Sequence, residues 1–169
     1  MGTVYWITGL SGAGKTTIGK LLYSKINEEY SNTVFLDGDM LRKVFGDDVG
    51  YSEEDRRKCA MRYSRLCAML QEQGMNVVCC TISMFHSVRD WNRQNIRNYK
   101  EIYLKVSMDT LRRRDQKGLY SGTTEEKQKE VVGIHMDIEE PECPDLILEN
   151  DGEKTPEEQV EIIFQNCIN

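Results

Sequence analysis

Apolar residues follow two rhythms along this chain, and the rhythms alternate. Short β-rich apolar runs occur at Val4-Tyr5-Trp6-Ile7-Thr8, at Thr33-Val34-Phe35-Leu36-Asp37, and over residues 76–82, 101–106 and 145–149. Their length predicts five strands. Between them, apolar positions recur at helical spacing. Residues 17–30 read as one helix, and a short run through Leu41, Arg42 and Val44 as a second. Cys59, Tyr63, Leu66, Cys67 and Leu70 mark a long helix, opened by the capping signature Ser52-Glu53-Glu54-Asp55 and stopped near Gly74. Residues 88–97 and a short stretch from Met108 are also predicted helical. Thr155-Pro156-Glu157-Glu158 is a capping box with proline at the first helical position, and the stripe Val160, Ile163, Phe164, Cys167 and Ile168 follows it.

Strands alternating with helices predict an α/β fold with a parallel sheet, right-handed crossovers and helices on both faces. At 169 residues the chain is long enough for one domain with a full core. Over residues 121–144 the pattern weakens, and the segment is polar with Gly122, Gly133, Pro141 and Pro144. A long, weakly patterned stretch in a compact domain is often a functional lid, here spanning about residues 116–144.

The chemistry starts after the first strand. Gly9-Leu10-Ser11-Gly12-Ala13-Gly14-Lys15-Thr16 fits the phosphate-loop pattern G-x-x-x-x-G-K-[ST] at every fixed position, and Thr17 follows it. Strand, glycine loop and helix is the context the motif requires. Glycines let the backbone wrap so that successive N–H groups face phosphate oxygens. The helix N-terminus adds partial positive charge there. Lys15 supplies a point charge for the β- and γ-phosphates of ATP, and Thr16 offers a hydroxyl to Mg²⁺. The fold is therefore expected to be the three-layer, five-stranded P-loop nucleoside-triphosphate hydrolase type.

Asp37-Gly38-Asp39 sits where the second strand leaves the sheet. Ligands of open α/β sheets bind at that edge, so both carboxylates fall beside the phosphate loop. Asp39 could also cap the helix that follows. No separate apolar strand ending in Asp supplies a Walker B carboxylate, so Asp37 or Asp39 takes the acidic function, as in a small kinase. Ser83-Met84-Phe85-His86 leaves the third strand on the same edge, and Arg56 opens the long helix next to a ligand-side loop.

Net charge narrows the partners. At −6 the chain is not built as a general nucleic-acid or membrane-surface binder. No apolar run reaches membrane-span length. Met1 leads straight into the first strand, leaving no room for a secretory signal. The six cysteines lack metal-ligand spacing, and adjacent Cys79 and Cys80 point to opposite faces of a strand. Reduced, mostly buried thiols in a cytoplasmic protein are expected.

Several segments together resemble the adenylyl-sulfate kinase family. They are residues 6–17, Leu36-Asp37-Gly38-Asp39 with Arg42, Gly50-Tyr51-Ser52 with Asp55-Arg56, Ile82-Ser83, Arg89 with Arg93, Arg114-Asp115, and Lys117-Gly118-Leu119-Tyr120. Gly133-Ile134 and Glu139 with Pro141 keep part of the family's lid motif. The resemblance covers nearly the whole chain. It implies ATP- and Mg²⁺-dependent phosphorylation of the ribose 3′-hydroxyl of adenosine 5′-phosphosulfate. It further implies that Asp39 orients or deprotonates that hydroxyl and that Asp37 assists with the metal or water. Arg42 and Arg56 would hold the acceptor's anionic group, and Tyr51 would pack on its base. Ile82 and Ser83 fall on the acceptor side, Arg114 near the donor nucleotide, and Lys117 with Gly118 and Leu119 in a mobile lid over the phosphates. Members are often homodimers, although no apolar stripe in the sequence demands one.

Departures from the family pattern concentrate on the acceptor. Lys58 and Cys59 stand where the family has Glu-Asn, and that Asn contacts the acceptor base. Met40 follows D-G-D in place of Asn, Met84 replaces a proline, and the lid motif F-T-G-I-D reads Val131-Val132-Gly133-Ile134-His135. The lid phenylalanine that stacks on the acceptor adenine is gone, while the phosphate machinery is intact. A site built to read one base loses orders of magnitude without its polar reader. Adenosine 5′-phosphosulfate is the first expectation, with cytidine diphosphoramidate, the acceptor in capsule phosphoramidate synthesis, nearly level. Trp91 or Phe85 is a candidate to replace the lost aromatic, while Phe85 and Met84 could equally line the pocket or simply cover core. A nucleotide-binding regulator without turnover is a third reading, opposed by intact Lys15, Thr16, Asp39 and Lys117.

Overall fold

The computed structural model describes residues 2–46, 48–115 and 137–168. Five parallel strands form one sheet in the order β2-β3-β1-β4-β5: β1 (Val4–Thr8), β2 (Thr33–Asp37), β3 (Asn76–Thr81), β4 (Tyr99–Lys105) and β5 (Leu146–Glu149). Among the described residues six helices connect and cover them: α1 (Lys15–Glu29), α2 (Gly38–Phe45), α3 (Glu53–Glu72), α4 (His86–Asn95), α5 (Met108–Arg114) and α6 (Pro156–Cys167). The predicted α/β architecture is the observed one. The shifts are at element ends. α4 begins two residues earlier than its periodicity suggests, because Phe85 is extended and the chain turns helical directly behind it.

Each sheet face carries its own core. Val4, Trp6, Val77 and Cys79 pack with α3 and α4, whereas Tyr5, Ile7, Val78 and Cys80 pack with α1 and α6. Alternate residues of one strand face opposite sides, which separates Cys79 from Cys80 as expected. Central β1 is buried along its whole length, the signature of a parallel strand covered twice. Trp6 is fully buried in the α3 layer. Emptying such a site costs about 3–5 kcal/mol. Gly19 lets α1 approach the sheet, since a Cβ there would lie 2.2 Å from Cys80 Sγ. Close packing of α1 fixes the height of the loop that precedes it.

β1 aligns Thr8 with Thr81 on β3 and with Tyr103 on β4. β1 and β3 therefore end level, β4 and β5 run two residues further, and the segments leaving them meet along one edge. Topology thus assembles residues from four distant stretches: 9–17, 37–42, 81–85 and 150–156.

Candidate active site

The loop 9–16 folds on its own backbone. Ala13 N–H donates to Leu10 O at 3.1 Å, and the Lys15 ammonium reaches the same carbonyl at 2.7 Å. Gly14 caps α1 at φ 95°, a left-handed conformation that glycine adopts without penalty. Space is restricted too, because a Cβ at Gly14 would lie 2.8 Å from Asn150 Nδ2. Asn150 follows the last residue of β5. Its side chain donates to Ala13 O at 2.9 Å, and its own carbonyl accepts from Arg114 Nη2 at 2.7 Å. One asparagine thus ties the phosphate loop to α5.

Asp37 ends β2 and uses both carboxylate oxygens. Oδ2 accepts from Thr16 Oγ1 at 2.7 Å, and Oδ1 accepts from Asp39 N–H at 3.0 Å. The cap of α2 is therefore Asp37, and Asp39 lies inside the first turn. Asp37 terminates a strand and satisfies an orphan helix donor at once, which is why the chain turns so sharply here. A hydroxyl and a carboxylate oxygen side by side suit a hard cation such as Mg²⁺, which keeps several oxygens from water and phosphate. Among the described residues no group of three or more His, Cys, Asp or Glu could hold a metal ion. The Thr16–Asp37 oxygen pair fits an ion that takes its remaining ligands from water and a bound phosphate.

Two clefts open on this edge. The larger, about 400 Å³, runs along the phosphate loop past Ser11, Gly12, Gly14, Lys15, Thr16 and Thr17. Asp37 and Arg114 border it too, together with Asn150 and Lys154. The smaller, about 100 Å³, lies between α2, α3 and the segment after β3, and includes Arg42 and Arg56. Gly38, Asp39, Thr81 and Ile82 line both clefts. Asp39 therefore stands at the junction.

Most residues expected from the sequence converge here. Ser83 lines the smaller cleft, and it is the one described non-glycine residue with positive φ, at 34°. Its hydroxyl pairs with Thr81 Oγ1 at 2.7 Å. Strain of this kind collects at functional sites. Gly9 and Ala13 are buried and shape the loop rather than line the cleft.

Tyr51 is exposed and carries two arginines. It is not among the residues lining the smaller cleft. The Arg42 guanidinium lies 4.2 Å from its ring centroid and that of Arg56 5.5 Å. Arg42 also donates to Val49 O and Gly50 O, both at 2.9 Å, and Arg56 Nε donates to Tyr51 O at 2.9 Å. Two arginines thus occupy the tyrosine, and the tyrosine holds them. Trp91 packs against the α3-side core and does not line the cleft, whereas Phe85 and Met84 do. Lys117, Gly118, Leu119 and the 131–135 motif lie outside the described residues.

Sequence reasoning missed Asn150, Lys154, Glu53 and Tyr63. Asn150 had a usable signal, since it follows a strand's carboxyl end as Asp37 and Ser83 do. Tyr63 was assigned to core by periodicity, and it serves both roles. Its hydroxyl donates to Gly38 O at 3.2 Å beneath the junction, and burial pushes its pKa well above the ordinary value.

The adenylylsulphate kinase family profile matches residues 1–149. The chain is 41% identical over 162 residues to a cytidine diphosphoramidate kinase of Campylobacter jejuni, covering 96% of this chain and 94% of that one. It is 32% identical over 168 residues to a probable adenylyl-sulfate kinase of Bacillus subtilis, covering 96% and 85%. Among solved structures it resembles the APS kinase of Mycobacterium tuberculosis in complex with AMPPNP and APS, with a TM-score of 0.84, 29% identity, and coverage of 97% and 96%.

Proposed function

This chain belongs to the adenylylsulphate kinase family of ATP-dependent kinases that phosphorylate hydroxyl groups, and from that premise we propose that it transfers the γ-phosphate of ATP to the ribose 3′-hydroxyl of cytidine diphosphoramidate. The observation that supports transfer between two bound nucleotides is the place of Asp39, at the border of a large phosphate-loop cleft and a smaller second cleft.

In this reading the larger cleft takes ATP and the smaller takes the acceptor. Lys15, now held by Leu10 O, would exchange that carbonyl for β- and γ-phosphate oxygens. Thr16 and Asp37 would hold Mg²⁺, whose chemistry when bound is neutralisation of charge across the β- and γ-phosphates. Asp39 would align the 3′-hydroxyl and accept its proton as the new O–P bond forms and the bond from the γ-phosphorus to the β,γ-bridging oxygen breaks, leaving ADP. Arg42 and Arg56 would bind the acceptor's anionic group, a task that guanidinium forks perform bidentately. Arg114 would meet the donor nucleotide, and Lys117 would approach the phosphates from the lid segment. Such a reaction depends on alignment and charge more than on covalent chemistry.

The choice of acceptor rests on Cys59. It lines the acceptor cleft at the position where the family resemblance calls for a base-reading asparagine. The relative that acts on the cytidine compound by its name is 41% identical, against 32% for the adenylyl-sulfate kinase relative. A cytoplasmic site of action fits the six unpaired cysteines among the described residues.

ADP release with Mg·ATP tests this directly, with cytidine diphosphoramidate and adenosine 5′-phosphosulfate compared at matched low concentration. Turnover of the cytidine compound well above the sulfate compound is expected. The reverse preference would return the chain to sulfate activation, and ATP binding without turnover of either would point to a regulator.

A further inference from the structure

One wall of the acceptor cleft is lined mostly by residues to which the phosphate chemistry assigns no role. Glu53, Arg56, Cys59 and Tyr63 line it at helical spacing along α3, so one face of that helix forms one side. Met84 and Phe85, behind β3, form part of the other. Asp39 and the arginines serve the ribose and the anionic group in the reading above. Glu53, Cys59, Met84 and Phe85 are among the side chains left for the base; Tyr63, Thr81, Ile82, Ser83 and Asp137 also line the cleft.

Phe85 is held like a platform. The Arg57 guanidinium lies 4.5 Å from its ring centroid. Arg57 is fixed by two further contacts, Nη1 donating to Ser87 Oγ at 2.8 Å and Nη2 to Glu53 Oε1 at 2.9 Å. A cation pinned on an aromatic face immobilises the ring, and the ring still borders the cleft. Base–aromatic stacking needs such a prepaid surface. Glu53 links the platform to the cleft, with one carboxylate oxygen on Arg57 and the residue lining the wall. An ionised carboxylate only accepts hydrogen bonds. It is therefore matched to an exocyclic amine such as cytosine N4 and opposed to the carbonyl that uracil presents at the same position.

We propose that Phe85, backed by Arg57, stacks on the acceptor's pyrimidine ring, and that Glu53 is the specificity-determining residue that accepts a hydrogen bond from its 4-amino group. The proposal rests on the cytidine reading of the acceptor.

The test is steady-state kinetics of the full chain with Mg·ATP and either cytidine or uridine diphosphoramidate, with adenosine 5′-phosphosulfate as a third acceptor. Wild type is expected to favour cytidine over uridine by about tenfold or more in kcat/KM. Glu53→Gln is expected to shrink that ratio by about tenfold, since an amide can donate to the uracil carbonyl. Phe85→Leu is expected to raise the acceptor KM by about tenfold for both pyrimidines, with the base ratio and the KM for ATP unchanged, and Phe85→Tyr to restore it. A base ratio unmoved by Glu53→Gln overturns the role of Glu53, and an acceptor KM unmoved by Phe85→Leu overturns the platform. Wild-type turnover of adenosine 5′-phosphosulfate alone overturns the cytidine reading and the pyrimidine assignment together. Cytidine turnover with an unmoved ratio overturns only the base-reading assignment.

Discussion

Thr16 Oγ1 donates a 2.7 Å hydrogen bond to Asp37 Oδ2, joining the start of α1 to the end of β2 across the sheet edge. The same two oxygens are the ones a Mg²⁺ shared with phosphate would use. Asp37→Asn keeps an oxygen for Asp39 N–H but removes the negative charge. The Mg²⁺ concentration for half-maximal rate should rise about tenfold or more, and kcat should fall about 100-fold, with little change in Tm. Asp37→Ala should lose about 1 kcal/mol of stability as well, because the α2 cap goes with it. Mg²⁺ titrations at saturating ATP, read beside thermal melts, separate the two effects. An unchanged Mg²⁺ curve in Asp37→Asn would remove Asp37 from the metal site.

Asp39 borders both clefts, so its loss should act on transfer rather than on binding. Asp39→Asn preserves shape and should lower kcat by about 10²–10⁴-fold, while ATP affinity measured by calorimetry stays within about twofold. A variant that lost ATP affinity and kept kcat would assign Asp39 to binding alone.

How much of this was visible beforehand follows from what each signal reports. The alternation of apolar rhythms reports burial, and burial decided the sheet, so all five strands and their parallel arrangement were legible. The phosphate loop was legible because its glycines and Lys15 answer to local geometry. Asn150 had only its place behind a strand end as a signal, because its contact with Ala13 exists only once β5 pairs with β4 at the sheet edge. The neighbours of Tyr51 were not legible, because a motif records that an aromatic is present without recording what packs on it. Here Arg42 lies over one ring face while the residue stays half exposed. Asp37 and Asp39 both fall on the cleft edge, but which of them caps α2 depends on which one ends the strand, and pattern alone places that boundary only within a residue or two.

Asn150 gives a prediction that no motif supplies. Its side chain makes one hydrogen bond to the loop carbonyl of Ala13. Asn150→Ala should cost about 1 kcal/mol of loop order, seen as about a fivefold loss in ATP affinity with kcat nearly retained. Asn150→Asp should be worse than alanine, since a carboxylate would face the Ala13 carbonyl. Calorimetric titration of ATP into the two variants checks the order. If both bind as the wild type does, the brace has no part in donor binding.

The last prediction concerns pH and a charge the reaction does not use. Glu101 is 2% exposed in β4. Arg93 Nη2 lies 3.0 Å from Oε2 and Arg89 Nε 3.6 Å from Oε1. Arg89 in turn holds Glu139 O, Arg93 holds Cys143 O, and Asp145 accepts from Glu101 N–H. The carboxylate thus secures the segment 139–145, whose neighbour Asp137 lines the acceptor cleft. Burial is the largest influence on Glu101 and raises its pKa from the ordinary carboxylate value, even against the pull of Arg93 and Arg89. The folded state therefore binds this proton more tightly than the unfolded chain does. Its stability contribution is complete below the ordinary carboxylate pKa and is lost as pH rises through the raised value. Glu101→Gln resembles the protonated side chain at every pH. Urea unfolding of both proteins from acid to neutral pH should show wild type losing stability relative to Glu101→Gln across that window. The opposite slope would mean that the two arginines outweigh desolvation, so that the ionised triad stabilises the fold and the segment beside the acceptor cleft depends on its charge.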